Sequence, residues 1–392
     1  MVMVAAARLT APPQDQQDAL RGSTAFAFDL ARALGSGQGN LVVSPETVST
    51  VLTMLLPGAR GRTAAELARV LHAGPLDPTA LAAATGDLEA GALADAARGG
   101  VGLSQSNAVW AQLGYQLQQG YLRILSGAFR TGVHQADFSH DAERARQSIN
   151  NTVAQQTGGL IPDLLPPGSV DPLTRLVLTD AVYLKAQWAN QFRASDTAPA
   201  PFHRAGGGVA SVPTMEQVAP LRYAASGGWQ AVELPYRGGH LALDLLLPGG
   251  WATGAVLAGL DPVRLAAITG ALAPATVDVS VPKFTIDSGL NLGQTLQRLG
   301  MPTAFGPSAD FTGLFNGSRE QLALTGVYEQ AHIAVDEQGT TAAAAAGAVV
   351  GATAGHTSVG VTTVRFDHPF GFALRDVGTG QILFLGQVTD PA

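Results

Sequence analysis

The sequence predicts an α+β protein. Amphipathic helical patterns occupy the first part of its 392 residues, and alternating strand patterns dominate the later part. Segregated helices and strands favour this class over repeated βαβ units. Hydrophobic residues make up 46% of the chain and charged residues 14%, so a large core is easily filled. No linker, charge block or repeat is visible, so we predict a flexible tail over residues 1–20 and one domain over 21–392.

The first predicted helix has Phe26 and Leu30 on one face, with Ser23 or Thr24 as its cap and Gly35 as its end. A segment that precedes the next apolar pattern, "GSGQGN" at 35–40, resembles a phosphate-binding loop. It follows a helix and precedes a strand, which reverses the required order, so we interpret it as a turn.

Three further helices follow. Ser44 can cap the second helix, and a proline at position 45 suits its first turn. Thr63 and Glu66 have capping-box spacing at the start of the third. A later helix covers about residues 141–156.

Strand patterns dominate from there on. "LVLTDAVYLKAQW", at 176–188, alternates apolar residues and places Asp180 among them. "VYEQAHIAV", at 327–335, places Glu329 among its apolar residues in the same way. "VDVSVPKFTI" and "QILFLGQVTD" also predict strands.

Charge and cysteine content exclude several kinds of function. The formal net charge of −7 and the absence of a basic cluster argue against nucleic acid, heparin-like polyanions and anionic membranes as partners. The absence of cysteine excludes disulfides, thiolate metal sites and cysteine nucleophiles. Only two lysines beside plentiful arginine and alanine indicate a GC-rich genome, which favours a bacterial source.

The cellular location stays open. The apolar start, residues 1–9, is too short for a signal-peptide core, and no apolar run is long enough to span a bilayer. An extracellular location is favoured if a leader precedes this chain, and a cytoplasmic one otherwise.

No motif for hydrolysis, phosphate binding or metal coordination is found. The chain lacks HExxH, GxxxxGK and GxSxG patterns. His134, Asp137 and His140 lie close together, but neither a fourth ligand nor a helical register accompanies them. We therefore predict a polar connection there, no metal and no cofactor.

An uncharged stretch near the C-terminus is unusual. From position 339 to 350, within "VDEQGTTAAAAAGAVVGATAGHTSVGVTTVRFDHPF", it has neither proline nor charge and almost only small side chains. The stretch has too few large side chains to form a core and too few charges to be a solvated tail. The alanines also favour a helix, but the flanking glycines and the short length make an isolated helix marginal.

Several long motifs resemble those of serpins, and the likeness covers nearly the whole chain. In the family's order they are "GNLVVSPETVSTVLTMLLPGARGRTAAELARVL", "INNTVAQQTGGLIPDLLP", "LVLTDAVYLKAQWANQF", "VSVPKFTIDSGLNLGQTLQRLGM", "VDEQGTTAAAA" and "VRFDHPFGFALRDVGTGQILFLGQVTDP". The resemblance implies three β-sheets, eight or nine helices and an exposed reactive loop over about residues 337–364. It also implies an inhibitor of serine proteases, a monomer and not an enzyme.

The mechanism of inhibitory serpins gives the uncharged stretch a role. A protease attacks the loop and forms an acyl-enzyme, and the cut loop then inserts into the main sheet and traps the protease covalently. The native state is metastable, and the inhibitor acts as a suicide substrate. The resemblance assigns the hinge of the loop to Glu337, Gly339, Thr340, Thr341, Ala342, Ala343, Ala344, Ala345 and Ala346.

The family's usual hinge length, counted from Glu337, implies a scissile bond between Thr353 and Ala354, while the bonds on either side of Thr357 stay open. The loop has no lysine or arginine before Arg365, and its valine, alanine and threonine residues suit a shallow specificity pocket. We predict elastase-like or subtilisin-like serine proteases as targets, with papain-like cysteine proteases as a less favoured class.

The resemblance also assigns the opening of the main sheet. Lys283 and Glu337 match positions that face each other where the loop enters, and an exposed pair of this kind contributes about 0–1 kcal/mol. Trp188 matches a tryptophan whose indole covers the gap. Gly339 is expected to give the hinge its backbone freedom.

Asp180 and Glu329 depart from the family pattern, which usually has asparagine and histidine on the strands that flank the opening. Two carboxylates close together in a low-dielectric site cannot both ionise cheaply, so one should hold a proton. Ser44 and Thr47 are candidate hydroxyl partners. Our hypothesis is a pH-sensitive latch on strand separation, and the alternative is a pair that is hydrogen-bonded separately.

Two other functions stay open from the sequence. A non-inhibitory serpin that acts as a binding or carrier protein would be cleaved without forming a covalent complex. A hydrolase with an unrecognised site would show turnover, although no nucleophile motif supports it.

Overall fold

Helices occupy the first part of the chain and strands most of the rest in a computed structural model that describes residues 1–35, 39–250, 256–316, 322–340 and 360–392. The α+β prediction is confirmed. The eight α-helices of the described ranges are α1 Pro13–Leu34, α2 Pro45–Leu55, α3 Gly61–Val70, α4 Pro78–Arg98, α5 Gln119–Phe129, α6 Phe138–Gln156, α7 Pro262–Gly270 and α8 Gly293–Leu299.

The strands of the described ranges form two sheets. Their bounds are β1 Leu41–Val43, β2 Gly102–Gln112, β3 Val133–Ala136, β4 Leu176–Gln187, β5 Ala198–His203, β6 Val209–Ser226, β7 Trp229–Pro235, β8 Leu241–Pro248, β9 Ala273–Pro282, β10 Phe284–Asn291, β11 Leu324–Val335, β12 Gly339–Thr340, β13 Val361–Arg365, β14 Phe370–Asp376 and β15 Ile382–Val388. The two strands singled out from their alternation are β4 and β11.

One sheet has six strands in the order β10-β11-β12-β4-β2-β3, and the other has nine in the order β1-β15-β14-β8-β7-β6-β9-β13, with β5 paired to β6. Strand β6 is 18 residues long and connects strands at both ends of its length within the nine-stranded sheet. It pairs with β5 at its start and with β7 at its end, while β9 runs along its middle. Three sheets were predicted, but the described strands form two, because β6 pairs with β5 at one end and with β7 at the other and so keeps these strands in a single sheet.

The core consists of three buried clusters, and β4 and β11 contribute to all of them. On one face of β4, Leu178 packs with the helices, whereas Val182 packs against the nine-stranded sheet. Ala181, on the other face, belongs to the cluster beneath α6. Asp180 therefore lies where the helical cluster and the inter-sheet cluster meet.

Helix α1 begins ten residues before the predicted cap. Pro13 occupies its first turn, where the missing N–H costs nothing. Ser23 and Thr24 are inside the helix, and both hydroxyls donate to the carbonyl of Leu20, at 3.0 and 2.8 Å. The predicted end is correct, because the N–H of Gly35 donates to the carbonyl of Ala31.

The predicted flexible tail over residues 1–20 is corrected by the structure. Residues 13–20 are helical, and Val2 forms a β-bridge with Val133. The guanidinium of Arg8 donates to Asp87 at 2.7 Å, and the other oxygen of this carboxylate accepts from the N–H of Ala11 at 2.8 Å. These long-range contacts stabilise the segment, and no local sequence pattern predicts them.

The second helix begins as predicted, with Ser44 as its cap. The capping box of the third does not form. Thr63 accepts from the N–H of Asp310 at 2.9 Å, and Glu66 accepts from the N–H of Thr303 at 2.9 Å. Tertiary partners have replaced the local ones.

Asp137 accepts a hydrogen bond from the N–H of His140 in the first turn of α6, while His134 lies against Trp110, with 4.3 Å between ring centroids. Among the residues described, no group of three or more histidine, aspartate or glutamate side chains is arranged to hold a metal ion. None of the described helices combines the length and apolar character needed to cross a membrane. The turn predicted at 35–40 lies partly outside the described residues.

Candidate functional site

The chain enters the six-stranded sheet at β12, a strand of only two residues. Gly339 pairs with Gln187 of β4, and Thr340 pairs with Ala186 of β4 and with Val335 of β11, always in the antiparallel sense. Beyond β12 the two flanking strands pair directly with each other in parallel, along 176–183 and 324–332. The sheet is therefore open by two residues at one end and closed along the rest of the β4–β11 interface.

Gly339 is required here by a close backbone approach. A Cβ atom at this position would lie 1.9 Å from the carbonyl oxygen of Ala186, and its φ is not in the left-handed region. Any side chain would force β12 away from β4. In the structure, glycine is needed at this hinge position because there is no room for a side chain. From the sequence alone, backbone freedom is the expected reason.

Thr340 is buried, and its hydroxyl forms a hydrogen bond of 2.5 Å with the hydroxyl of Tyr236. Tyr236 stacks on Trp188, with 4.7 Å between ring centroids and 11° between ring planes. The indole N–H of Trp188 donates to the carbonyl of Asp336 at 2.9 Å, and its backbone N–H donates to the carbonyl of Gln338. The two aromatic residues hold the chain on both sides of the hinge.

Glu337 lies beside Lys283, with 2.8 Å between Oε2 and Nζ, and its Oε1 accepts from the hydroxyl of Thr197 at 2.8 Å. Partial burial raises the pKa of Glu337, but the hydrogen bonds from Lys283, from its own backbone N–H and from Thr197 outweigh it and hold the pKa below its usual value. The contribution of this pair is lost as the pH falls below about 4.5. Lys283 is 38% exposed, so the contribution stays at about 0–1 kcal/mol.

Asp180 and Glu329 lie opposite each other in the β4–β11 register, and both are fully buried. Asp180 Oδ2 accepts from the hydroxyl of Thr47 at 2.8 Å, and Glu329 Oε1 accepts from the backbone N–H of Ser44 at 3.0 Å. The Ser44 hydroxyl itself donates to the carbonyl of Leu383. The structure therefore brings these four residues together, but Ser44 contributes its backbone and not its hydroxyl to the carboxylate.

Part of the predicted site lies outside the described residues. These residues are the rest of the hinge, Thr341, Ala342, Ala343, Ala344, Ala345 and Ala346, and the predicted scissile bond between Thr353 and Ala354. Conversely, sequence reasoning missed Tyr236. It directly follows β7, and nothing in its local pattern indicates a partner more than 100 residues later in the chain.

Comparisons with known proteins identify the family of this chain. A family model described as "Serpin (serine protease inhibitor)" matches residues 21–391. The chain belongs to the serpin family. Members of this family are mostly protease inhibitors and generally bind target proteases.

Curated serpins resemble it along most of their length. An uncharacterized serpin-like protein of Thermococcus kodakarensis is 36% identical over 93% of this chain and 84% of its own length. Leukocyte elastase inhibitor A of Mus musculus is 32% identical over 94% of this chain and 98% of its own.

Solved structures agree with the serpin fold. The thermophilic serpin tengpin in its native state has a TM-score of 0.87 at 23% identity, covering all of this chain and 97% of its own, which supports the fold alone. Serpin48 of Tenebrio molitor has a TM-score of 0.81 at 26% identity, covering 95% of this chain and 98% of its own.

Replacing Tyr236 by phenylalanine should loosen the hinge of this serpin. The Thr340 hydroxyl would stay buried without its partner, which costs about 1–3 kcal/mol. If that cost falls on the β12 pairing, amide hydrogen exchange at residues 339–340 should become about 5- to 150-fold faster. Tyr223→Phe is the matched control, because that hydroxyl bonds to Gln230 on the nine-stranded sheet and should leave the hinge unchanged. Equal exchange at the hinge in Tyr236→Phe and the wild type would contradict the assignment.

Proposed function

We propose that this serpin is an irreversible suicide inhibitor of serine proteases that acts by acyl-enzyme trapping and insertion of its reactive loop into the six-stranded sheet. The observation that carries the proposal is β12. A strand that continued from Thr340 between β4 and β11 would run antiparallel to both, as β12 already does. The first step of insertion is thus already in place in the uncut chain.

The register of β12 supports insertion along the whole interface between β4 and β11. Each residue added after Thr340 moves one position back along both flanking strands, so that residue 350 would reach Leu176, the first residue of β4. The span from 340 to 350 coincides with the stretch that carries neither proline nor charge.

The two faces of that span also fit the sheet. Alternate residues from Thr340 onwards are alanines at 342, 344, 346 and 348, and they would follow the buried face on which Thr340 meets Tyr236. Small side chains on this face could enter between packed strands with few clashes, because protein cores have little free volume. A non-inhibitory role would not require this composition.

Trapping requires that the native state be held by a kinetic barrier, since the inserted form must lie lower in free energy. This barrier would arise from the direct pairing of β4 with β11, which must be broken before the loop can insert. Insertion exchanges the hydrogen bonds of one strand pair for those of two.

We propose elastase-like or subtilisin-like serine proteases as targets. The loop has no lysine or arginine between Glu337 and Arg365, so a trypsin-like pocket has no cation to bind. The name of the mouse relative, leukocyte elastase inhibitor A, agrees with a target of this class.

Incubation with pancreatic elastase and with subtilisin tests the proposal. We expect an SDS-resistant band at the summed mass and a released C-terminal fragment that starts at Ala354. Cleavage of the loop by a non-target protease should raise the thermal unfolding temperature. A cleaved chain with neither the covalent band nor the rise would indicate a binding or carrier protein, and stronger inhibition of trypsin than of elastase and subtilisin would contradict the target class.

A further inference from the structure

Four carboxyl groups at and around the first turn of α2 influence one another's protonation. They belong to Glu46 on α2, Glu89 on α4, Asp180 on β4 and Glu329 on β11. Asp180 and Glu329 face each other across the one strand interface that insertion must open. Separation of β4 from β11 would therefore change the environment of these carboxyl groups.

Hydrogen bonds satisfy only one oxygen of each central carboxyl group. Asp180 Oδ2 and Glu329 Oε1 have the partners Thr47 and Ser44, whereas Asp180 Oδ1 and Glu329 Oε2 have no hydrogen-bond partner among the described residues. An ionised carboxylate in such a place would be poorly solvated, because an unpaired buried charge is costly. The closed sheet therefore favours the protonated forms.

Within the described ranges, the surrounding elements supply no cation to the central pair. Glu46 accepts from Gln105 at 2.7 Å and from Thr50, and Glu89 accepts from Asn107 at 3.3 Å. The strands on either side present to the pair Asn107 from β2, in register with Asp180, and Leu290 from β10, in register with Glu329. None of these side chains can neutralise a carboxylate.

Ionisable groups slightly farther away do not change this conclusion. Arg8 of the N-terminal segment acts on Glu89, but its guanidinium is bonded to Asp87. Asp287 and His332 bond to each other on β10 and β11, and strand alternation puts them on the opposite face from Glu329. Glu46 and Glu89 are thus the other ionisable groups that act on the pair within the described part of the chain, and both are carboxyl groups that cannot neutralise it.

The pKa values follow from this environment. Burial raises the pKa of Asp180 well above its usual range, and the neighbouring Glu329 raises it further. Burial raises the pKa of Glu329 to about 8, although the N–H of Ser44 opposes the shift. Burial likewise raises the pKa of Glu89 to about 7, and burial together with Glu89 and Asp180 raises that of Glu46.

Insertion would separate the pair. Counted from Thr340 along either flanking strand, the residue that would stand between Asp180 and Glu329 is Ala346, six positions on. Neighbouring strands are about 4.8 Å apart, so the inserted strand would roughly double the separation of the two carboxyl groups. Their mutual repulsion would fall as the sheet opens.

We propose that Asp180 and Glu329 form a proton-operated latch, in which protonation holds β4 and β11 together and loss of protons promotes their separation. The proposal rests on the proposed function, because the opening matters only if the loop inserts. The closed sheet binds protons more tightly than the opened one. The closed state is therefore fully stabilised below pH about 4, the ordinary range of these groups, and loses stability as the pH rises through about 8.

The test measures sheet opening without a protease. A synthetic peptide with the sequence of residues 340–350 is incubated with the uncut full-length protein between pH 5 and 9, and its incorporation is followed by native gel mobility. We expect incorporation to be at least about tenfold faster at pH 9 than at pH 6, the change that corresponds to one pKa unit of difference in proton affinity. A rate that does not rise with pH would overturn the latch, and this measurement needs no variant.

Variants of the two carboxyl groups test whether these groups cause the pH dependence. Asp180→Asn and Glu329→Gln should each reduce the pH dependence, and the double variant should abolish it and slow incorporation at pH 9. Asp287→Asn is the matched control, since this side chain is 66% exposed on a neighbouring strand and should leave the profile unchanged. A pH profile unaltered in both single variants would assign the dependence elsewhere and overturn the proposal.

The two proposals can fail separately. Covalent trapping of elastase or subtilisin with a flat incorporation profile would leave the inhibitory function and remove the latch. A pH-dependent profile without covalent trapping at any pH would leave the latch and remove the inhibitory function.

Discussion

Replacing Thr340 by arginine should turn the proposed inhibitor into a mere substrate of its target protease. The Thr340 side chain is completely buried between β4 and β11 and against Tyr236, so an arginine there would have to bring a charge into a space lined by apolar and aromatic groups. A buried, unpaired charge costs several kcal/mol in real proteins. If about 3 kcal/mol of this cost falls on the transition state for insertion, insertion slows by about 100-fold. The acyl-enzyme would then hydrolyse before the protease is trapped.

The measurement is the number of inhibitor molecules consumed per protease molecule inactivated, with elastase and with subtilisin. We expect the wild type to need about one, and Thr340→Arg to be cleaved at the same bond with almost no covalent band. Val361→Arg is the matched control. It adds the same charge to the exposed strand β13, on the side of the loop that does not insert, and should inhibit normally. Full inhibition by Thr340→Arg would refute insertion at β12.

Replacing Arg375 by methionine should cost about 3–5 kcal/mol of native-state stability, because it leaves two buried carboxylates without their main cation. Arg375 on β14 donates to Asp244 of β8 and to Glu233 of β7, and Asp244 is fully buried. Even with the guanidinium present, burial raises the pKa of Asp244 to about 6, while Arg375 opposes that shift. Arg222, with its Nη1 3.7 Å from a Glu233 oxygen, would neutralise only part of the remaining charge.

Urea unfolding of the native state at pH 7 measures this loss, with Arg365→Met as the control. Arg365 also contacts two carboxylates, Glu216 and Asp278, but it is 43% exposed on the edge strand β13, so its loss should cost no more than about 1 kcal/mol. The Arg375→Met variant should regain stability as the pH is lowered from 7 towards 4, since the orphaned Asp244 carboxyl then takes up a proton. Similar costs for the two variants at pH 7 would contradict the role of burial.

Local patterns predicted the parts of the fold that depend on nearest neighbours. The alternation in β4 and β11 identified both strands and showed Asp180 and Glu329 on apolar faces. Local patterns gave wrong predictions where a side chain forms its hydrogen bonds with a distant segment and not with its sequence neighbours. Thr63 and Glu66 have capping-box spacing, yet they accept hydrogen bonds from backbone N–H groups more than 230 residues away. The same holds for the N-terminal segment, which Asp87 fixes in place.

The sequence by itself determined the α+β class, the two central strands and an uncharged, proline-free segment long enough to become a third strand between them. These features follow from backbone geometry and side-chain size within a few residues. Only the tertiary structure decided that Asp180 lies opposite Glu329, that Tyr236 holds Thr340 and that Gly339 touches Ala186. Those contacts join segments that are between about 100 and 150 residues apart, and strand register, which no local pattern contains, sets which atoms meet.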